Sequence, residues 1–272
     1  MDSATLVALI AGILQGIFEW LPISSEGNVA VFLTAVGSSP DAAVQFSLFL
    51  HVGTALSATV YYRDEFRDAL AVAPEWRPAT AFGDETADLS FVVVATLASV
   101  GSGLVAYLAL DGLVGELTGG AFIVVVGLLL VATGAFQRFA GERALGARDL
   151  PDLVDAVLVG TLQGIAVLPG VSRSGTTAGA LLLRGHDGPA SFRLSFLLSV
   201  PAAFGAGALT VLDEGGIPSV APGPALIAVV AAAIVGYLTI DALMRVVERI
   251  DFWAVCVGLG GLAMLGGVAL WI

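Results

Sequence analysis

The sequence predicts an all-α polytopic membrane protein, with six transmembrane helices and two re-entrant helical hairpins arranged as an inverted-topology repeat. Three observations predict it. First, the 272 residues are 57% hydrophobic and only 12% charged, with a mean hydropathy of +0.95, where a soluble domain carries about 25% charged residues. Second, six apolar runs are long enough to span a bilayer, at about 41–62, 89–110, 120–138, 190–212, 224–245 and 252–272. Third, two other apolar regions, about 4–37 and 152–185, are interrupted at their middle by Pro, Gly and Ser, leaving halves of about 10–17 residues that suit half-helices.

Irregular backbone at membrane depth is tolerated only where protein or a wet cavity covers it. The two hairpins are therefore expected inside the bundle, away from lipid. They also resemble each other. ALIAGILQGI at 8–17 and AVLVGTLQGI at 156–165 match at six of ten positions with an offset of 148. After one deletion Pro22 pairs with Pro169 and Ser25 with Ser172, and the offset then returns, aligning FSLFLHVGTALSA at 46–58 with LSFLLSVPAAFGA at 194–206. The chain reads as one membrane domain of two repeats, 1–146 and 147–272.

The arginines set the expected topology. All eleven bases are Arg, and ten of them (Arg63, Arg67, Arg77, Arg138, Arg143, Arg148, Arg184, Arg193, Arg245 and Arg249) fall at one set of loops and helix ends. The loops at about 111–119 and 213–223 carry none. The positive-inside rule makes the Arg-bearing side cytoplasmic and both termini extracytoplasmic, in the plasma membrane. Three spans separate the hairpins, so the second enters from the opposite face, and sites in such folds lie near the midplane where broken helices meet. The net charge of −12 argues against nucleic acid as a partner and resembles the composition of proteins from salt-loving sources. Cys256, the single cysteine, reads as a small buried hydrophobe. The N-terminus lacks the basic start of a signal peptide.

Candidate chemistry concentrates at the two tips. In the first, Gln15 and Glu19 are four apart and share a helix face. A charge at the centre of a membrane helix costs about 2.5–3.5 kcal/mol, so Glu19 should face a polar cavity. Ser24 and Ser25 fall where the second half-helix begins, as a cap, a phosphate contact or both. The second tip, Pro169-Gly-Val-Ser172-Arg173-Ser174-Gly175-Thr176-Thr177, has the hydroxyls, backbone N–H groups and guanidinium of an anion nest. Arg173, the one Arg away from the cytoplasmic set, reads as a phosphate clamp or as a salt bridge to Glu19.

With these residues the chain resembles the undecaprenyl pyrophosphate phosphatase family of bacitracin-resistance type. EWLPISS with its upstream Gln matches the family's first motif and PGVSRSG its second, and the likeness extends over essentially the whole chain, including FLLSVPA at 196–202. The resemblance implies hydrolysis of undecaprenyl or another polyprenyl or dolichyl diphosphate to the monophosphate, which recycles the lipid carrier for envelope glycan synthesis. It implies a divalent cation, Mg²⁺ or Ca²⁺, with Glu19 either as its ligand or as the group that takes the nucleophile's proton, and it suggests a homodimer. Glu19, Ser25 as nucleophile and Arg173 are the implied catalytic residues. Gln15, Ser24, Asn28, Ser172, Ser174, Gly175 and Thr177 are the implied substrate-binding set. Ser25 either attacks phosphorus itself or positions the attacking water.

Asn28 departs from the family, which usually has His there. Asn cannot accept a proton, which leaves Glu19 as the candidate base. Of the two histidines, His51 lies within a span, where it could face the cavity, but away from the motif position, and His186 reads as a solvated turn residue. Phe18 and Trp20 beside Glu19 read as core or as prenyl contacts. The competing reading is a polyprenyl-phosphate transporter or flippase, because midplane half-helices in an inverted repeat also build carriers.

Overall fold

The computed structural model describes residues 2–114, 117–143, 146, 148–213, 221–247 and 249–270. The chain forms, in order, α1 (Ser3–Phe18), α2 (Ser25–Ala35), α3 (Pro40–Tyr61), α4 (Arg63–Ala71), α5 (Ala87–Val114), α6 (Gly119–Glu142), α7 (Leu153–Ile165), α8 (Arg173–Leu183), α9 (Gly188–Asp213), α10 (Pro222–Val247) and α11 (Phe252–Ala269). Among the described residues the only β pairing is an isolated bridge between Arg148 and His186.

Six helices, α3, α5, α6, α9, α10 and α11, are long and apolar enough to cross a membrane, and the protein is a multi-pass membrane protein. They coincide with the six expected spans, with α5 running on to Val114 and α6 to Glu142. Parts of the two Arg-free loops (115–116 and 214–220) and the last two residues of the final expected span lie outside the described residues. The short helix α4, which hydropathy does not announce, follows α3 directly and has no buried residue.

The helix starts are written in the sequence as caps. Asp2 Oδ1 accepts the Thr5 N–H at 2.8 Å ahead of α1, and Ser39 Oγ accepts the Ala42 N–H at 3.3 Å ahead of Pro40 at the start of α3. Asp152 and Asp155 form a reciprocal capping box on α7, at 2.8 and 2.9 Å. Both hairpins appear as expected: α1 and α7 stop a few residues short of Pro22 and Pro169, and α2 and α8 start just after them.

The expectation that the hairpins avoid lipid holds for only part of each. The tips and the second legs, α2 and α8, are enclosed. The first legs are not: Leu153, Val154, Val157 and Leu158 of α7 and Leu6 of α1 are exposed. A continuous helix satisfies its own backbone, so its apolar side chains can face hydrocarbon; the irregular turn cannot.

The helices pair across the two halves. α1 packs along α10 and α7 along α5, while α3 meets α9 and α6 meets α11. Apolar surface gains nothing by leaving lipid, so such contacts depend on close packing over small residues. Gly12 of α1 and Gly160 of α7, equivalent at the 148 offset, show this. A Cβ on Gly12 would lie 2.2 Å from the Ala228 carbonyl oxygen, and one on Gly160 would lie 2.3 Å from that of Ala95.

At the base of the second hairpin a charged cluster ties the start of α7 to the end of α8. Arg184 Nε donates to Asp155 Oδ1 at 2.5 Å and its NH2 to Asp152 Oδ2 at 2.9 Å, with Arg148 on Asp152 at 2.7 Å. His186 belongs here. The expectation of a solvated turn is wrong: His186 is fully buried, with Nε2 3.1 Å from Asp155 Oδ2. Its Gly-His-Asp-Gly context looks like a surface turn, but the turn folds back onto a buried carboxylate that needs a partner.

Candidate active site

The two tips touch. Ser24, the N-cap of α2, accepts the Gly27 N–H at 3.3 Å and, from the other hairpin, the Gly170 N–H at 3.1 Å. The approach needs glycine on both sides, since a Cβ on Gly27 would lie 2.5 Å from the Gly170 nitrogen. Gly170 has φ +100°, and Ser24 itself sits at φ +61°, the one non-glycine residue with positive φ among those described. A left-handed serine stores strain of about 1–3 kcal/mol, typical of functional turns whose surroundings over-determine them.

Glu19 caps the end of α1 and is the hub of the site. Its Oε2 accepts hydrogen bonds from Gln15 Nε2 at 2.8 Å and Ser25 Oγ at 2.7 Å. Its Oε1 is paired with Arg173 NH2, which arrives from the start of α8, 154 residues away. His51 completes the ring, with Nε2 3.4 Å from Glu19 Oε2 and Nδ1 2.9 Å from the Ser47 carbonyl oxygen. The Glu19 side chain is 3% exposed, so its charge depends on these partners.

Glu19, Ser25, His51 and Arg173 line a cavity of about 260 Å³ together with Ser24, Glu26, Ser172 and Ser174. Its remaining wall is largely apolar, formed by Val100, Gly103 and Leu104 of α5 and Pro201, Ala202, Ala206 and Leu209 of α9. The polar end is under-satisfied. Arg173 NH1, Glu26 Oε1 and Gln163 Oε1 are buried without a hydrogen-bond partner. An orphaned guanidinium nitrogen beside a hydroxyl and two helix starts has the chemistry to receive an oxyanion. Gln163 is the repeat equivalent of Gln15, yet it donates to Ser99 Oγ at 3.0 Å, because Val167 stands where the first half has Glu19.

Of the residues expected at the site, the fold brings Gln15, Glu19, Ser24, Ser25, Ser172, Arg173 and Ser174 to the cavity or its immediate support. Three are placed elsewhere. The Asn28 amide donates to the carbonyls of Ile23 at 2.7 Å and Ser24 at 2.9 Å, so it braces the first turn. Gly175 gives its N–H to Ser172 Oγ at 3.2 Å and faces Gln137. Thr177 is buried between Arg173 O at 2.9 Å and Ser195 Oγ at 2.6 Å. Motif proximity suggested all three; the turn and the α8 helix rotate them away. Trp20 is core, with Nε1 donating to Gly236 O at 3.1 Å, and Phe18 packs near Ile23 and Cys256. Glu26 was missed, and His51, which the sequence allowed to face the cavity, was not placed among the site residues. His51 carries a signal only in the repeat alignment, where Ser199 faces it.

Glu19 does not fit the expected role of cation ligand. Both of its oxygens are engaged, and a divalent ion there would lie against the Arg173 guanidinium. Among the described residues no group of three or more His, Cys, Asp or Glu side chains could hold a metal ion. Glu26 is the carboxylate with an oxygen to offer.

Fold and site together define a multi-pass membrane protein with a buried cavity, lined by charged and hydroxyl side chains, at the meeting of two hairpin tips. The family model described as bacitracin resistance protein BacA matches residues 8–262, and the chain belongs to this family. It is 56% identical to an undecaprenyl-diphosphatase of Haloarcula marismortui over 266 residues, 97% of each chain. Proteins of the same name from Methanococcoides burtonii (37% identity, 95% of this chain and 96% of the relative) and Methanopyrus kandleri (38%, 95% and 94%) are similar over the same extent.

Proposed function

We propose that the protein is a membrane phosphatase that hydrolyses undecaprenyl diphosphate, or another polyprenyl or dolichyl diphosphate, to the monophosphate and inorganic phosphate. The observation that carries this reading is Arg173. It is anchored to Glu19 through one nitrogen and holds the other buried and unpartnered in a cavity that also presents Ser25. The membrane family and its curated relatives supply the substrate class. The diphosphate occupies the polar end of the cavity and the prenyl chain follows the apolar wall of α5 and α9.

In phosphoryl transfer the protein acts mainly by positioning and by stabilising charge on the phosphoryl oxygens. Arg173 NH1 and the starts of α2 and α8 serve that purpose here. Ser25, hydrogen-bonded to Glu19, attacks the terminal phosphorus or holds the water that does. Glu26 would be the residue to hold a divalent cation, Mg²⁺ or Ca²⁺, at the diphosphate. Mg²⁺ in particular is usually bound by one or two carboxylates plus substrate phosphates. When bound, it neutralises charge on the diphosphate.

Several further features belong to the same reading. The equivalent glycines and cross-half helix pairs support two repeats, divided near residue 146, and an odd number of spans between the hairpins makes the repeat inverted. Arginines gathered at one set of helix ends support extracytoplasmic termini. A homodimer is carried over from the family likeness.

The test is phosphate release by purified protein in detergent over a panel of prenyl diphosphates, with and without Mg²⁺ or Ca²⁺. Turnover in the absence of any gradient is expected; none with any substrate would overturn the assignment. Ser25→Ala divides the two nucleophile models, since complete loss supports a covalent phosphoserine and a modest loss supports water.

A further inference from the structure

We propose that His51 is the proton-accepting partner of Glu19 in the hydrolytic step, in the place that the Asn28 position leaves empty. The inference rests on the phosphatase reading above and adds a residue to it.

The ring's orientation assigns its hydrogen. A carbonyl oxygen only accepts, so Nδ1, 2.9 Å from Ser47 O, carries the N–H. Nε2 then presents its lone pair toward Glu19 Oε2 at 3.4 Å. That separation is longer than a charge-assisted N–H···O bond of about 2.7–2.9 Å. Protonation of Nε2 converts the contact into an ion pair and draws the two groups together.

Ser25 lies on the same carboxylate oxygen, at 2.7 Å. Glu19 Oε2 thus joins the hydroxyl that must lose a proton to the nitrogen able to keep it. As the Ser25 oxygen, or a water held by it, bonds to the terminal phosphorus, the phosphorus–bridging-oxygen bond breaks. The leaving polyprenyl monophosphate takes that electron pair. The nucleophile's proton passes to Glu19 Oε2, and from there to His51 Nε2, which later returns it to solvent or to the departing phosphate. Glu19 needs such an outlet, since a carboxyl left protonated would lose its pairing with Arg173. The other ionisable groups around the pair are Arg173 on Glu19 Oε1 and Glu26 in the cavity wall. The polar residues of α5 and α9 in that wall and beside it, Thr96, Ser99 and Ser199, do not titrate. Asn28 offers no alternative, because its amide nitrogen is spent on turn carbonyls and an amide is not basic enough to take the proton.

The test compares kcat and KM against pH for the wild type, His51→Gln, His51→Ala and Arg173→Ala, each checked for folding by thermal melting in detergent. Positioned acid–base groups contribute about 10²–10⁴-fold. His51→Gln is therefore expected to lower kcat by at least 10²-fold with a small change in KM, and to erase the acid limb of the kcat profile. Added imidazole is expected to restore turnover in His51→Ala. Wild-type kcat and an unchanged acid limb in His51→Gln would overturn the inference. So would a loss confined to KM, or a folded His51→Ala that imidazole does not rescue. A wild type that releases no phosphate overturns the phosphatase reading itself. An active wild type with a dead Arg173→Ala and an unaffected His51→Gln overturns only the role of His51.

Discussion

Ser24 Oγ accepts the backbone N–H of Gly170 at 3.1 Å, although the two residues lie 146 positions apart and belong to different hairpins. The same oxygen caps α2 through Gly27. One hydroxyl therefore sets the start of the helix that carries Ser25 and the distance to the tip that carries Arg173. A serine held at φ +61° persists there because those two bonds offset its conformational cost.

Ser24→Ala removes both bonds and leaves a Cβ-bearing residue in the left-handed region. It is expected to destabilise the protein by about 2 kcal/mol, the sum of a lost cap and a lost buried hydrogen bond. Ser24→Gly relieves the strain but restores neither bond, so it should lie between Ala and wild type in thermal melting while both lose phosphatase turnover. A Ser24→Ala protein as stable and active as wild type would refute the linkage.

Arg173→Lys keeps the charge but cannot hold Glu19 and present a second fixed donor at once. A loss of at least about tenfold in kcat/KM is expected, against about 10²–10³-fold for Arg173→Ala, the scale of removing one charge-stabilising donor. Arg173→Ala also leaves Glu19 buried beside unmatched partners, so its melting temperature should fall, and Glu19→Gln should recover part of that fall. Because the two residues are in contact, their effects should not add.

Gly12→Ala places a methyl group 2.2 Å from the Ala228 carbonyl oxygen, where backbone cannot yield cheaply. It should reduce folded protein recovered from membranes, and Gly160→Ala should do the same through Ala95. Gly101→Ala in α5 meets nothing within 4 Å and should be neutral or mildly stabilising, by up to about 1 kcal/mol. Equal behaviour of Gly12→Ala and Gly101→Ala would show that the close crossing is not required.

Asp155→Asn leaves Arg184 and His186 without their shared carboxylate inside a buried cluster. Removing one partner of a buried pair costs about 3–5 kcal/mol. The expected result is a large drop in thermal stability with kcat of the surviving folded fraction little changed, since the cluster lies at the base of the hairpin and does not line the cavity.

Element identity was legible because it depends on local quantities. The spans follow from run length and apolarity, and the hairpin turns from Pro22 and Pro169 inside apolar runs. Much of the site was legible for a related reason: a carboxylate and an arginine in apolar surroundings must find polar company, and two such tips in one small bundle have few places to meet. Side-chain direction was not legible. Asn28 and Thr177 sit beside functional residues in the chain yet turn away from the cavity, whereas His51, far from either motif, turns toward it.

The sequence by itself therefore determined a six-span membrane chain with two interrupted hairpins, and named Glu19, Ser25 and Arg173 as its chemistry. Only the tertiary structure decided that Arg173 pairs with Glu19 and that Ser25 and His51 reach the same carboxylate from two further segments. It also buried His186 against Asp155. The physical reason is the same in both cases. A buried charge is satisfied by whichever groups the packing brings within about 3 Å, and chain-distant partners are chosen by how helices cross, which hydropathy and motif spacing do not encode.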